Sequence, residues 1–231
     1  EPEVVHLGML LNKMGAKIKG LGSKKIIIEG VKKLNGIDEI VPSDRIEAGT
    51  FAIAVSATGG RIKLENTNYD ENKTLFKILE KTGSKINKSK NSINIEKTND
   101  EIYPVNIKTS PYPGFPTDLQ AQIMTLMAIS NGHSEIKENI FENRFMHVQE
   151  LVRMGANIKL DKDKALIRGA RSLNGANVMA TDLRASASLI IAGLVAIGKT
   201  TISRIYHLDR GFYNLENKLN NCGASIKRIS E

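Results

Sequence analysis

The residues best suited to chemistry in this chain are three arginines and two aspartates beside the starts of apolar helical stretches. Arg184 falls in the first turn of one such stretch, directly after Asp182-Leu183. A cation there is opposed by the helix dipole, so decoration is a poor explanation for it. Arg144 and Arg210 occupy equivalent loops, each just ahead of a later helix. Guanidinium groups bind phosphate and carboxylate oxygens in pairs, so Arg184 and Arg210 suit an anionic ligand. Salt bridges to Asp182 or Asp209 are the plainer reading. On residue type alone, Asp118 is an N-cap.

The elements that must position these groups follow from self-similarity. One pattern occurs four times, at Leu10–Ile18, Leu79–Ile86, Leu151–Ile158 and Leu219–Ile226, around Gly15, Gly83, Gly155 and Gly223. These glycines lie 68, 72 and 68 residues apart. Each copy follows a stretch with helical apolar spacing and leads into alternating apolar residues. The pattern predicts helix, left-handed glycine, then strand. Between the copies, Asp44-Arg45-Ile46-Glu47, Thr117-Asp118-Leu119-Gln120 and Thr181-Asp182-Leu183-Arg184 open apolar helical runs. Pro42 and Pro116 reinforce two of these starts. The runs end at Gly59-Gly60, Asn131-Gly132 and Gly198, with a short strand after each. A repeat of about 70 residues, with two helices each followed by strand, therefore fills the chain. Ala185 to Ile197 is apolar nearly all round and needs cover on every side. Helices inside and sheets outside satisfy that need. Around a pseudo-threefold axis the three helix starts point to one end and favour anions there, with Asp44, Asp118 and Asp182 on its rim.

Several features are decoys. Gly193–Thr200 spells a phosphate loop, but its middle residues continue a helix that caps at Gly198 and meets a strand. Cys222 is expected to fill the packing slot held by Met14, Thr82 and Met154 in the other copies. His6, His133, His147 and His207 show no metal spacing and read as surface or helix-end residues. Neither a metal nor a cofactor is expected.

The chain has 231 residues, 41% hydrophobic and 25% charged, an ordinary globular composition. No apolar run reaches the length of a membrane span. One cysteine excludes an internal disulfide and fits a reducing cytoplasm. The formal charge of +8 is spread out, with aromatics at 5% and no Trp. That argues against nucleic acid as a partner. The opening Glu-Pro-Glu, without an initiator Met, suggests a chain that begins inside something longer.

Four segments carry a resemblance: Phe115–Gln122 (Phe-Pro-Thr-Asp-Leu-Gln-Ala-Gln), Phe141–His147 (Phe-Glu-Asn-Arg-Phe-Met-His), Ala180–Ser188 and Tyr206–Gly211. Together with Asp44–Thr50 they resemble the enolpyruvyl transferases, specifically the branch acting on UDP-N-acetylglucosamine. The resemblance covers essentially the whole chain in the right order. It implies an inside-out α/β barrel of three repeats in each of two domains, with the active site between them. Residues 1–42 would then end the first domain and residues 43–231 form most of the second. It also implies transfer of the enolpyruvyl group from phosphoenolpyruvate to the sugar 3′-hydroxyl, with release of phosphate, at the start of peptidoglycan synthesis. Asp118 would be the base or hydroxyl-orienting group, and the backbone of Ile140 would hold the nucleotide sugar. Arg144 would bind substrate, while Arg184 and Arg210 would hold phosphoenolpyruvate. Asp182 would take part in catalysis or orient the arginines. Asp44, Arg45 and Glu47 would serve a hinge or structural role. The family's N-terminal half, with its catalytic cysteine loop, has no counterpart here. The chain is therefore expected to need that half as a partner and to be inactive alone. The related shikimate-pathway transferase and a non-catalytic half-protein are the competing readings.

Overall fold

A computed structural model of the chain describes residues 1–229, which divide into two compact units, Glu1–Ser43 and a second that begins at Asp44. The first unit is helix α1 (Pro2–Lys13) followed by an antiparallel hairpin, β1 (Lys17–Lys19) with β2 (Ile27–Glu29). Gly8 is its only buried residue, so the unit has no core of its own.

The second unit is built on three long inner helices. Helix α2 (Arg45–Thr58) leads into β3 (Gly60–Glu65), then α3 (Lys73–Lys81) and the hairpin β4 (Lys85–Lys88) and β5 (Ser92–Lys97). Strand β6 (Ile107–Lys108) precedes α4 (Gln120–Ala128), β7 (His133–Lys137), α5 (His147–Arg153), β8 (Asn157–Asp161) and β9 (Lys164–Arg168). The last repeat comprises β10 (Leu173–Asn174), β11 (Asn177–Met179), α6 (Leu183–Val195), β12 (Ala196–Ile197), β13 (Thr201–Ser203) and α7 (Leu215–Asn221). The first two repeats form sheets in the orders β3-β5-β4 and β6-β7-β9-β8. The third has only two parallel pairs, β10 with β12 and β11 with β13.

Helices α2, α4 and α6 pack on one another, and the two larger sheets lie against α2 and α4. All nine residues of α4 are buried. Its sequence is apolar except at Gln120, Gln122 and Thr125, as a helix covered on every side requires. Gln122 Nε2 donates to Thr50 Oγ1 of α2 (3.2 Å), and Thr125 Oγ1 donates to the Ser188 carbonyl of α6 (3.2 Å). Near its start, Leu119 sits where a Cβ on Gly49 would come within 2.5 Å, so glycine lets α2 and α4 approach closely there. Gly49 faces Leu119 and Thr50 meets Gln122, while Arg184 reaches Asp118 ahead of α4 and Ser188 meets Thr125 further along, so α4 runs in the same direction as α2 and as α6 and the three begin at one end. A second apolar cluster of Phe51, Ala187, Leu208, Phe212, Leu215 and Leu219 ties α7 to α2 and α6.

The four-fold glycine pattern is realised bond for bond. Gly15, Gly83, Gly155 and Gly223 have φ of 104°, 99°, 95° and 100°. In each copy the glycine N–H donates three residues back and the next N–H donates five back, for example Gly155 to Val152 and Ala156 to Leu151. This double bond satisfies carbonyls that the helix end would otherwise leave open. The fourth copy departs from expectation: among the described residues no strand follows Gly223. Cys222 is correspondingly exposed, whereas Thr82 and Met154 are buried. Among the described residues no hairpin lies beside the packing slot expected for its thiol. Helix α6 also stops at Val195, earlier than expected, because Ala196 and Ile197 pair with β10. The phosphate-loop spelling thus runs from the last turn of a helix through a two-residue strand. Replacing Gly155 with Ala should cost about 1 kcal/mol, because the positive φ penalises a Cβ. An unchanged urea midpoint would contradict this account of the repeat.

Candidate functional site

Asp44, Asp118 and Asp182 hold matching places in the sequence, yet only two of them cap their helices. Asp44 Oδ1 accepts from the Ile46 and Glu47 N–H groups, and Asp182 Oδ1 from those of Arg184 (2.7 Å) and Ala185 (2.9 Å). Such caps are worth about 1 kcal/mol each. Asp118 makes no such bond. It lies in a 3₁₀ turn, Thr117–Leu119, whose N-cap is Pro116. Its carboxylate instead turns to two cations: Arg144 donates to Oδ1 at 2.7 Å and Arg184 to Oδ2 at 2.8 Å. The plain N-cap reading of Asp118 therefore gives way to a two-arginine clamp.

Both arginines are largely covered, with side-chain exposures of 20% and 17%, while Asp118 keeps 38%. The open side of the cluster thus belongs to the carboxylate. Burial pushes the Asp118 carboxyl up, but hydrogen bonds and charge from Arg184 and then Arg144 outweigh it. They hold the group below the usual carboxylate range. Arg184, at the second residue of α6, has its charge met by a carboxylate from the turn ahead of α4 rather than by Asp182. The plainer reading, a salt bridge to Asp182, does not form; the Asp182 carboxylate is occupied as the cap.

Arg210 ends the 3₁₀ segment Ile205–Arg210, which packs on α6. The following Gly211 approaches Leu183, where a Cβ would come within 2.8 Å. Arg210 is exposed, and Asp209 is engaged elsewhere, in a two-point bridge to Arg228 (2.7 and 3.0 Å). The plainer reading, a salt bridge to Asp209, is therefore also absent for Arg210. Arg210 stands near the start of α6 but is not within bonding distance of the Asp118 clamp.

Ile140 and Arg144 belong to the loop between β7 and α5. It lines an open cavity of about 800 Å³ together with Leu160, Lys162 and Asp163 from the β8–β9 turn. Ile140 and Phe141 are exposed there, and the Arg144 guanidinium lies over the Phe141 ring at 4.9 Å. This stacking and the Asp118 bond together fix the direction of the Arg144 fork. Among the residues expected to be structural, Arg45 is buried with its guanidinium over the Tyr112 ring, and Glu47 pairs with Lys218.

Two residues escaped the sequence reading. His147 was expected at a surface or helix end; it does open α5, but it is buried. Burial depresses its pKa to about 4, with Asp182 opposing and Arg144 reinforcing the shift. It is a neutral wedge between the elements carrying Arg144 and Arg184. Glu138 is also buried, at the end of β7. The alternation of β7, in which Ser134 and Ile136 face inward, was the available signal, since it places Glu138 on the same face.

His147 gives a pH prediction. Its folded pKa of about 4 lies below the ordinary histidine value of 6.5, so the unfolded chain binds a proton in that window that the folded chain refuses. Stability is therefore complete above pH 6.5 and falls by up to roughly 3 kcal/mol towards pH 4. Urea midpoints measured across the window should flatten in His147→Gln; parallel curves for the two proteins would dismiss the assignment.

Against known proteins, residues 1–219 match the family described as EPSP synthase (3-phosphoshikimate 1-carboxyvinyltransferase). The chain is 56% identical over 231 residues to the UDP-N-acetylglucosamine 1-carboxyvinyltransferase of Rhizobium johnstonii, covering all of this chain and 54% of that protein. It is 55% identical over 229 residues to the protein of the same name from Methylobacterium radiotolerans, covering 99% of this chain and 53% of the other. The chain spans about half the length of the curated relatives it matches. The crystal structure of the enolpyruvyl transferase NikO from Streptomyces tendae superposes with a TM-score of 0.86 at 25% identity, over 98% of this chain and 54% of that one. EPSP synthase from Acinetobacter baumannii, at 20% identity over 96% of this chain and 55% of the other, shares the fold with a TM-score of 0.73. Matched along nearly its whole length and built on the same fold, the chain belongs to the EPSP synthase (3-phosphoshikimate 1-carboxyvinyltransferase) family, the enolpyruvyl transferases.

Proposed function

We propose that this chain supplies one half of the active site of an enolpyruvyl transferase acting on UDP-N-acetylglucosamine. The observation that carries this reading is Asp118, which gives up helix capping to sit between Arg144 and Arg184. A carboxylate beside two cations is the minimum that such a transfer needs. The sugar 3′-hydroxyl must lose its proton as its oxygen bonds to C2 of phosphoenolpyruvate and C3 gains one; C3 must then give up a proton as the C2–O bond to phosphate breaks, which restores the double bond and releases phosphate. Asp118 receives or orients the hydroxyl proton. Arg184 and Arg210 meet the phosphate and carboxylate, and Arg144 and the Ile140 backbone hold the nucleotide sugar. Asp182 acts indirectly, fixing the start of α6 and with it Arg184.

In the ligand-free clamp Asp118 is a weak base, since both of its oxygens already accept from guanidinium groups. An arriving anionic substrate competes for Arg184, and each bond drawn from Asp118 raises its basicity. Proton acceptance is thereby tied to occupancy of the anion subsite.

The rest of the reading follows from the half-length match. Residues 1–42 close a first domain whose remainder lies in the partner half, which the coreless helix and hairpin of that segment support. Residues 43–231 make the second domain as an inside-out barrel, which the buried parallel trio α2, α4 and α6 supports. The chain works in the cytoplasm at the entry to peptidoglycan synthesis, and alone it does not turn over. No helix among the described residues is long and apolar enough to cross a membrane. The shikimate reading is favoured only by the family description, and the identity to UDP-N-acetylglucosamine transferases outweighs it.

Completed with the N-terminal half of a relative, the chain should release phosphate from phosphoenolpyruvate with UDP-N-acetylglucosamine and not with shikimate 3-phosphate. The opposite preference would transfer it to the other branch, and a folded but inactive complex would leave a binding role. In the same assembly Asp118→Ala should lower turnover by about 10²–10⁴-fold with the fold intact. Near-normal rates would remove Asp118 from the chemistry. Arg210→Ala should chiefly raise KM for phosphoenolpyruvate, and unchanged kinetics would refute its role.

A further inference from the structure

We infer that Glu138 is a positioning residue that sets the spacing between the Asp118 turn and the Arg144 loop. This rests on the function proposed above but on different atoms. Glu138 Oε1 accepts from Thr109 Oγ1 at 2.7 Å, from the Ile140 N–H at 2.8 Å and from the Phe141 N–H at 3.2 Å. Its Oε2 accepts from Thr117 Oγ1 at 2.9 Å. The neighbouring Asn139 closes the knot, its N–H donating to Thr109 Oγ1 and its side chain to the Thr109 carbonyl.

Three segments therefore meet on one buried side chain. Thr109 follows β6, Thr117 immediately precedes Asp118, and Ile140 and Phe141 begin the loop that carries Arg144. Both members of the Asp118–Arg144 pair hang from Glu138 through a few residues of backbone. The Thr117 bond has a particular use. The α4 start has no aspartate cap, so its turn must be held from outside, and Oε2 holds it through Thr117. A displacement of about 1 Å between reacting groups is enough to lower a rate a hundredfold. Glu138 itself faces inward and makes its four bonds within the protein, so it touches no reacting atom.

The geometry distinguishes positioning from direct chemistry. In Glu138→Gln the amide oxygen can keep the Ile140 and Phe141 bonds. The NH2 then points to Thr117 Oγ1, whose hydroxyl can turn to accept it. In Glu138→Ala all four bonds go. Amide hydrogen exchange in the chain itself should accelerate at least tenfold at Ile140 and Phe141 in Glu138→Ala and stay near wild type in Glu138→Gln. In the completed enzyme Glu138→Ala should raise KM for the nucleotide sugar and lower kcat, together reducing kcat/KM about a hundredfold, with Glu138→Gln restoring most of it. Unchanged exchange in Glu138→Ala, or a Gln variant as damaged as the Ala variant, would overturn the inference. Should Glu138→Ala not fold, Thr117→Val removes the Oε2 bond alone. It should lower kcat/KM about tenfold while leaving exchange at Ile140 unchanged, and wild-type kinetics would overturn the proposal. If the completed wild-type assembly transfers no enolpyruvyl group, the proposed function falls, and the exchange comparison still decides the role of Glu138.

Discussion

Positive charge gathered where helices begin is the constraint on which the rest of this structure depends. Three parallel helices start at one end of the second unit, each presenting unpaired N–H groups and the positive end of its dipole. Two guanidinium groups are added at the same place, Arg184 within α6 and Arg144 ahead of α5. Left alone, this concentration of like charge would open the end of the bundle. Asp44 and Asp182 answer it locally by capping, and Asp118 answers it across helices by binding both arginines. That end of the unit is thus held together by one carboxylate shared between two arginines. Stability and receptivity to anions come from one arrangement.

The division of labour among the three aspartates explains why the site sits on the second repeat. A cap on α4 would add about 1 kcal/mol, and the helix does without it. Complete burial of α4 against α2, α6 and the four-stranded sheet makes that loss tolerable. The surrounding groups then keep the uncapped turn in place: Glu138 through Thr117, Leu119 against Gly49, and neutral His147 behind Arg144. Each of these residues is buried or faces inward, and none competes with Asp118 for the open side.

What was legible in the sequence is what is decided locally. The four glycines announce left-handed helix ends because a Cβ is penalised at that φ, wherever in the fold the motif lies. The aspartates before apolar runs announce helix starts for an equally short-range reason. By the same logic Asp118 reads as a cap, and nothing within ten residues says otherwise. Arg184, the deciding partner, is 66 positions away. Glu138 was within reach through the alternation of β7, but its partners at Thr109 and Thr117 come from other segments. Cys222 is exposed where no strand among the described residues follows its glycine, and α6 ends early because its continuation pairs with β10. Both depend on which strands are available, and helical periodicity carries no information on that. The resemblance placed Asp118, Arg144 and Arg184 on the site, and the geometry brings those three together while leaving Arg210 beside them.

The seam between α2 and α7 has a further implication. Glu47 pairs with Lys218 across 171 positions, and Phe51 packs in the same cluster as Leu215 and Leu219. The bundle is therefore fastened by its first and last helices. During synthesis α2 emerges from the ribosome long before α7, and until then its Phe51 face lacks part of its cover. Closure of the unit therefore waits for its last helix.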